Sequence, residues 1–306
     1  MLFNAWKRIN ETIWFWQGVT SPQDLQKTQK AWKAHLILGF KKSSERTVLA
    51  SRSQSGPLTV QRPFYPEGDV CHLYLLHPPG GVVGGDELCI NVSLKEVAKV
   101  LITTPGATKF YRSGDAQQKG KRAKQNQYLQ VSNGCSLEWF PQENIFFDYS
   151  HCHLVTRIDL EQDAQFMGWE INCYGRPASK ELFEHGEVLT RLELYRNGIP
   201  LILDGLTVAD ATQNHNALKS ATSLNGFPCF GTFIATQVNK DLLDQAREAV
   251  KDYDLPIGLT LMDDILVARC LGEYAEQVST ALKKVWMVLR PSVLQRDACH
   301  PRIWLT

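Results

Sequence analysis

The sequence predicts a mainly β protein that ends in a small α/β lobe. Three observations carry this. Short β-rich runs recur from Trp32 to about Val208, punctuated by clusters of Gly, Pro, Asn and Ser. No stretch of ten or more residues in that region has a helical period. Clear helical periods appear only after residue 240.

Taken in order, residues 1–31 read as an N-terminal extension. It holds Trp6, Trp14 and Trp16 among polar residues and continues into Gln23–Lys30, a short amphipathic helix expected to dock on the body. Residues 32–210 form the β-rich body. Its strands are expected at Ala34–Phe40, Val70–Leu76, Leu88–Val92, Val97–Thr103, Gln127–Val131, Ile145–Tyr149, Leu154–Leu160 and Val188–Tyr195. A βαβ sheet needs crossover helices, so a doubly wound fold is excluded and antiparallel or layered β is expected. Residues 211–306 form the smaller α/β lobe packed on the body, joined through Asn214–Asn225. Lys240–Tyr253 and Tyr274–Leu289 carry apolar residues on one helical face, and Pro291 is expected to stop the second helix. Between them, Ile257–Met262 and Ile265–Leu271 read as a hairpin around Asp263-Asp264.

Composition narrows the function. The 306 residues carry 33 Lys and Arg against 32 Asp and Glu, a net charge of +1. That balance argues against nucleic acid or an anionic membrane as partner. Apolar runs such as Ile199–Leu203 are far too short to span a bilayer. The first residues show no signal-peptide pattern. The eight cysteines form no CxxC pair, so reduced thiols in the cytoplasm are expected.

The common enzyme signatures GxSxG, HExxH and GxGxxG are missing. Gly114–Arg122 resembles a phosphate loop but has the wrong spacing, and reads as a solvated basic loop. The sharpest feature is His77-Pro-Pro-Gly-Gly-Val-Val-Gly-Gly-Asp86, too long for a plain hairpin turn and followed by Glu87. Its two terminal carboxylates suit a cation path or a partner surface. Glu170 and Asp204 stand out as acids among apolar neighbours, where a charge must be paired, protonated, metal-bound or wet. His151-Cys-His153 places two imidazoles on one strand face, a partial metal site without further ligands nearby in sequence. Cys71-His72 and Cys299-His300 give weaker signals of the same kind.

Several motifs then occur in order. They are Gly56–Glu67, His77–Asp86, Thr104–Ser113, Leu137–Glu143, Gly175-Arg-Pro177, Leu289-Arg-Pro291 and the terminal Pro301–Thr306. In these the chain resembles the urease accessory protein UreD family, called UreH in some bacteria, from about residue 32 onward. The resemblance implies a stacked, helix-like arrangement of β-strands with a few late helices. It implies a non-enzymatic chaperone for nickel insertion that binds apo-urease and UreF, and through UreF the GTPase UreG. It implies that nickel passes transiently through the interior, with no tightly bound cofactor. The acids at matching positions, Asp86, Glu87, Glu170 and Asp204, are the expected passage residues. A rival reading from another class is a metal-dependent hydrolase using His151 and His153.

Overall fold

Alternation of buried and exposed side chains sets the architecture. In Ala123–Val131 every second residue, from Ala123 to Val131, is buried, and Ser150–Leu160 repeats the pattern with Cys152, Leu154, Thr156, Ile158 and Leu160. Such a period of two fixes one face of each strand toward a core. The computed structural model describes residues 31–115, 117, 120–210 and 216–305. The extension, apart from residue 31, therefore lies outside the described residues.

The first strands are β1 (Lys33–Ser43), β2 (Arg46–Ser55), β3 (Thr59–Val60), β4 (Cys71–Leu76), β5 (Glu87–Lys95) and β6 (Lys99–Thr103). Then come β7 (Thr108–Phe110), β8 (Ala123–Val131), β9 (Ser136–Phe140), β10 (Asn144–Phe146), β11 (Ser150–Leu160) and β12 (Gln165–Tyr174). The last are β13 (Gly186–Arg196), β14 (Ile199–Ala209), β15 (Cys229–Ala235), β16 (Ile257–Met262) and β17 (Ile265–Gly272). Two α-helices follow the same chain order, α1 (Lys240–Val250) before β16 and α2 (Ala275–Val293) after β17.

The strands form two sheets. One has the order β14-β13-β11-β8-β5-β1-β2; the other has the order β16-β17-β15-β12-β9-β6-β4-β3, with β10 and β7 attached beside β12. The protein is mainly β, with few helices, as expected. The centre of each sheet is parallel: β5, β8, β11 and β13 in the first, and β4, β6, β9 and β12 in the second. Antiparallel pairing is confined to strands such as β2, β14, β15 and β17 at the flanks. Parallel strands do need crossovers. Here the crossover is a strand of the opposite sheet, because the chain runs β4, β5, β6, β8, β9, β11, β12, β13 by alternating between sheets. That is why a parallel sheet exists without crossover helices. Strands from both sides of residue 210 lie together in the second sheet, where β12 pairs with β15.

The helices cover the outer face of the second sheet. α1 begins on Asn239, whose side chain accepts from Leu242 N at 2.9 Å, and buries Leu242, Leu243, Ala246 and Val250. α2 sits close because Gly231 has no side chain: a Cβ there would lie 2.5 Å from Val278 Cγ1. The β16–β17 hairpin turns at Asp263-Asp264 as expected. Pro291 does not stop α2, which runs to Val293. The lost N–H costs one bond in the last turn, and burial of Leu289, Arg290 and Val293 holds that turn in place.

The C-terminal segment is tied back by charge. Asp69 accepts from Arg296 at 2.9 and 3.2 Å and from Lys99 at 3.1 Å. These partners, Arg296 foremost, hold its carboxyl down at about 2. A depressed folded-state pKa gives stability that is present above the unfolded value and lost as pH falls toward 2. Asp69→Asn is therefore expected to lower the thermal midpoint at pH 6, with the difference from wild type shrinking as the pH drops through that window.

Candidate functional site

The space between the sheets is not filled. A cavity of about 210 Å³ runs inward from His77, Gly80 and Gly81 and from the Thr104–Lys109 loop. Leu88, Ile90 and Ile158 wall it from the first sheet, and Trp139, Phe166 and Trp169 from the second. A smaller space of about 30 Å³, enough for a water or two, lies against Asp204, Thr190 and Asn172. Both are lined by Glu170, Leu192 and Thr232. Glu170 thus stands where the two spaces meet.

The glycine-rich loop builds the mouth. It carries the chain from β4 in one sheet to β5 in the other, so it must turn sharply across the end of the cavity. Gly84 passes so close to the Lys121 backbone that a Cβ would lie 2.6 Å from its carbonyl oxygen. Asp86 closes the loop by accepting from Val83 N at 3.0 Å. Burial pushes the His77 imidazole below its ordinary value, opposed by the nearby Asp86 charge.

Polar groups line the interior in a chain. Asn144 Nδ2 donates to Asn172 Oδ1 at 3.0 Å, and Asn172 Nδ2 donates to Glu170 Oε1 at 2.8 Å. Thr156 Oγ1 lies 3.0 Å from Glu170 Oε2 and 3.2 Å from Gln127 Oε1. A hydroxyl has one proton. When Thr156 gives it to Gln127, its contact with Glu170 needs the proton of the carboxyl itself. By surface area Glu170 is half-buried, because it faces the cavity. Burial raises its pKa; the bonds from Asn172 and Thr156 oppose this, and Asp204 adds to it. Among the described residues no cationic side chain pairs with Glu170.

Of the four acids marked in the sequence, the structure brings Glu170 and Asp204 together on one space. Asp204 also pairs with Arg269 at 2.6 Å at the outer side. Asp86 belongs to the loop at the mouth and is buried, but it does not line the cavity. Glu87 is on the surface, 3.2 Å from Lys124 and 3.8 Å from Lys33. The interior groups Gln125, Gln127, Asn144, Thr156, Asn172 and Thr232 carry no mark in the sequence reading. For two of them a signal was available: Gln125 and Gln127 occupy the same alternating positions as buried Leu129 and Val131.

His151 and His153 share the outward side of β11. His151 Nδ1 lies 3.3 Å from the Tyr149 carbonyl and 3.4 Å from Ser113 Oγ. Burial lowers the His153 imidazole, and Arg122, Lys124 and Arg191 lower it further. Three positive neighbours repel a metal cation, and no third donor joins the pair among the described residues.

The family described as UreD urease accessory protein matches residues 33–305. The urease accessory protein UreD of Alcanivorax borkumensis is 47% identical over 283 residues, covering 90% of this chain and 93% of that protein. The urease accessory protein UreD of Citrobacter koseri is 39% identical over 277 residues, covering 90% and 93%. That of Klebsiella aerogenes is 40% identical over 278 residues, covering 91% and 98%. No helix among the described residues is long and apolar enough to cross a membrane. The chain belongs to the UreD urease accessory protein family, and its place is in urease maturation alongside urease and other accessory proteins, as an accessory protein and not an enzyme.

Proposed function

We propose that this protein is a cytoplasmic scaffold and chaperone that passes nickel to apo-urease through the space between its two sheets. The observation that carries the reading is the polar chain around Glu170 inside an otherwise apolar cavity. Nickel is cargo here, so the path must not trap it. Imidazole and thiolate clusters hold Ni²⁺ tightly, whereas amide, hydroxyl and scattered carboxylate oxygens hold it loosely. The interior offers the second kind: Gln127, Asn144, Thr156, Glu170, Asn172 and, beyond it, Asp204. Asp86 draws the cation toward the loop end, while Glu87, held by two lysines, adds less.

In this reading UreF docks on the scaffold and brings UreG, the GTPase that carries nickel, to the cavity mouth. Co-expression with UreF, UreG and apo-urease tests it. The expected result is a stable complex and nickel-dependent urease activation that is lost without this chain. Failure to bind either UreF or apo-urease overturns it.

A further inference from the structure

A second cluster of metal-ligating groups lies apart from the passage. Three segments meet there. Glu67 comes from the turn before β4, His72 from β4, and Cys299 from the segment after α2. One donor atom from each lies within 4.8 Å of the other two. His72 Nε2 is 2.7 Å from Glu67 Oε1. Arg290, fully buried, reaches Glu67 at 2.7 Å and Glu138 at 2.9 Å.

Charge makes this cluster unusual. Two carboxylates, Glu67 and Glu138, face one guanidinium. Two carboxylates against one guanidinium leave these three groups with one net negative charge out of bulk water, which is costly. Burial raises the Cys299 thiol, and the Glu67 and Glu138 charges raise it further against the pull of Arg290. A divalent cation bound with the Cys299 thiolate brings the cluster to neutrality.

We propose that Glu67, His72 and Cys299 form a site for a resident divalent cation of the zinc class, fastening the C-terminal segment to the β4 region. A nitrogen, an oxygen and a sulfur donor are the mixed set that borderline cations prefer. Zinc–nitrogen and zinc–oxygen bonds of about 2 Å at a tetrahedral angle set their donors about 3.3 Å apart, so the 2.7 Å His72–Glu67 edge must open by about half an ångström. Cys299 is only partly buried, which leaves an entry route from solvent. Binding is an exchange: the Cys299 Sγ–H bond breaks, its proton goes to solvent, and the sulfur–metal bond forms without any change in oxidation state.

The test is metal binding by the reduced full chain, using Zn²⁺ with a competing chelator and Co²⁺ as a spectroscopic probe. One equivalent of Zn²⁺ is expected, with a thiolate-to-cobalt charge-transfer band in the near ultraviolet. Cys299→Ser is expected to abolish the band and weaken zinc binding at least about tenfold, and His72→Gln to weaken it similarly. Cys89→Ser and Glu170→Gln are expected to retain both signals, which separates this site from the passage. Circular dichroism confirms that the Cys299→Ser protein is folded. Absence of a bound equivalent at micromolar Zn²⁺, or undiminished binding by folded Cys299→Ser, overturns the proposal.

Discussion

Arg290→Met is expected to cost the metal-free chain about 3–5 kcal/mol, because it leaves Glu67 and Glu138 in the interior without the guanidinium that both contact. The geometry leaves little room for relief. Arg290 Nε and Nη2 each donate to Glu138 at 2.9 Å, and Nη2 donates to Glu67 at 2.8 Å. Nη1 also holds the Asp297 carbonyl, so the same side chain anchors the tail. Trp286 Nε1 donates to Glu138 at 2.7 Å but brings no charge. Folded proteins have only about 5–15 kcal/mol in hand, so the variant should appear as low soluble yield and a large fall in the urea midpoint. Adding Glu67→Gln and Glu138→Gln to Arg290→Met should recover a substantial part. No recovery would show that the tail contact, not the stranded charge, is the larger effect.

The second large effect concerns nickel. Glu170→Gln combined with Asp204→Asn removes the two carboxylates on the inner space while keeping their shapes. Nickel-dependent activation of co-expressed urease is expected to fall at least about tenfold, the factor that roughly 1.4 kcal/mol of lost cation attraction represents. The complex with apo-urease should survive, since Glu170 lies inside the chain and the change at Asp204 removes only one charge of a partly exposed pair with Arg269. Stability should hold or improve, because an isolated buried carboxyl is replaced by a neutral amide. Glu87→Gln, on the surface between two lysines, is the matched control and should change activation little. Normal activation by the double variant would defeat the passage reading while leaving family membership untouched.

The sequence revealed the strands and the late helices because those depend on local patterns. Ala34–Phe40 alternates, and Leu242, Leu243, Ala246 and Val250 recur at helical spacing. The parallel pairing was hidden because it depends on which strands meet. Val100 opposite Leu137, and Leu137 opposite Phe166, are contacts between distant segments with no turn between them to fix the register. Glu170 was visible as an acid in an apolar strand. Its partners Thr156 and Asn172 were not, since a threonine or asparagine in a strand is ordinary until its side chain is known to face inward. His72 and Cys299 were visible only as two separate, weak signals; that they meet Glu67 was hidden for the same reason, since 232 positions separate Glu67 from Cys299. Burial alone turns them into one electrostatic group.

The alternation of the chain between sheets has a mechanical consequence. Gln127 on β8 lies in one wall, Trp139 on β9 in the other, Thr156 on β11 in the first and Glu170 on β12 in the second. The walls are laced together, rung by rung, by the same polypeptide. No hinge can swing one wall from the other, as domains part in a clamshell protein. Motion that admits an ion is left to the loops at the ends, above all His77–Asp86, whose displacements belong to the nanosecond-to-microsecond range. Amide hydrogen exchange should therefore be slow along β8, β9, β11 and β12 and fast at that loop, giving the protein the character of a rigid pipe with a soft rim.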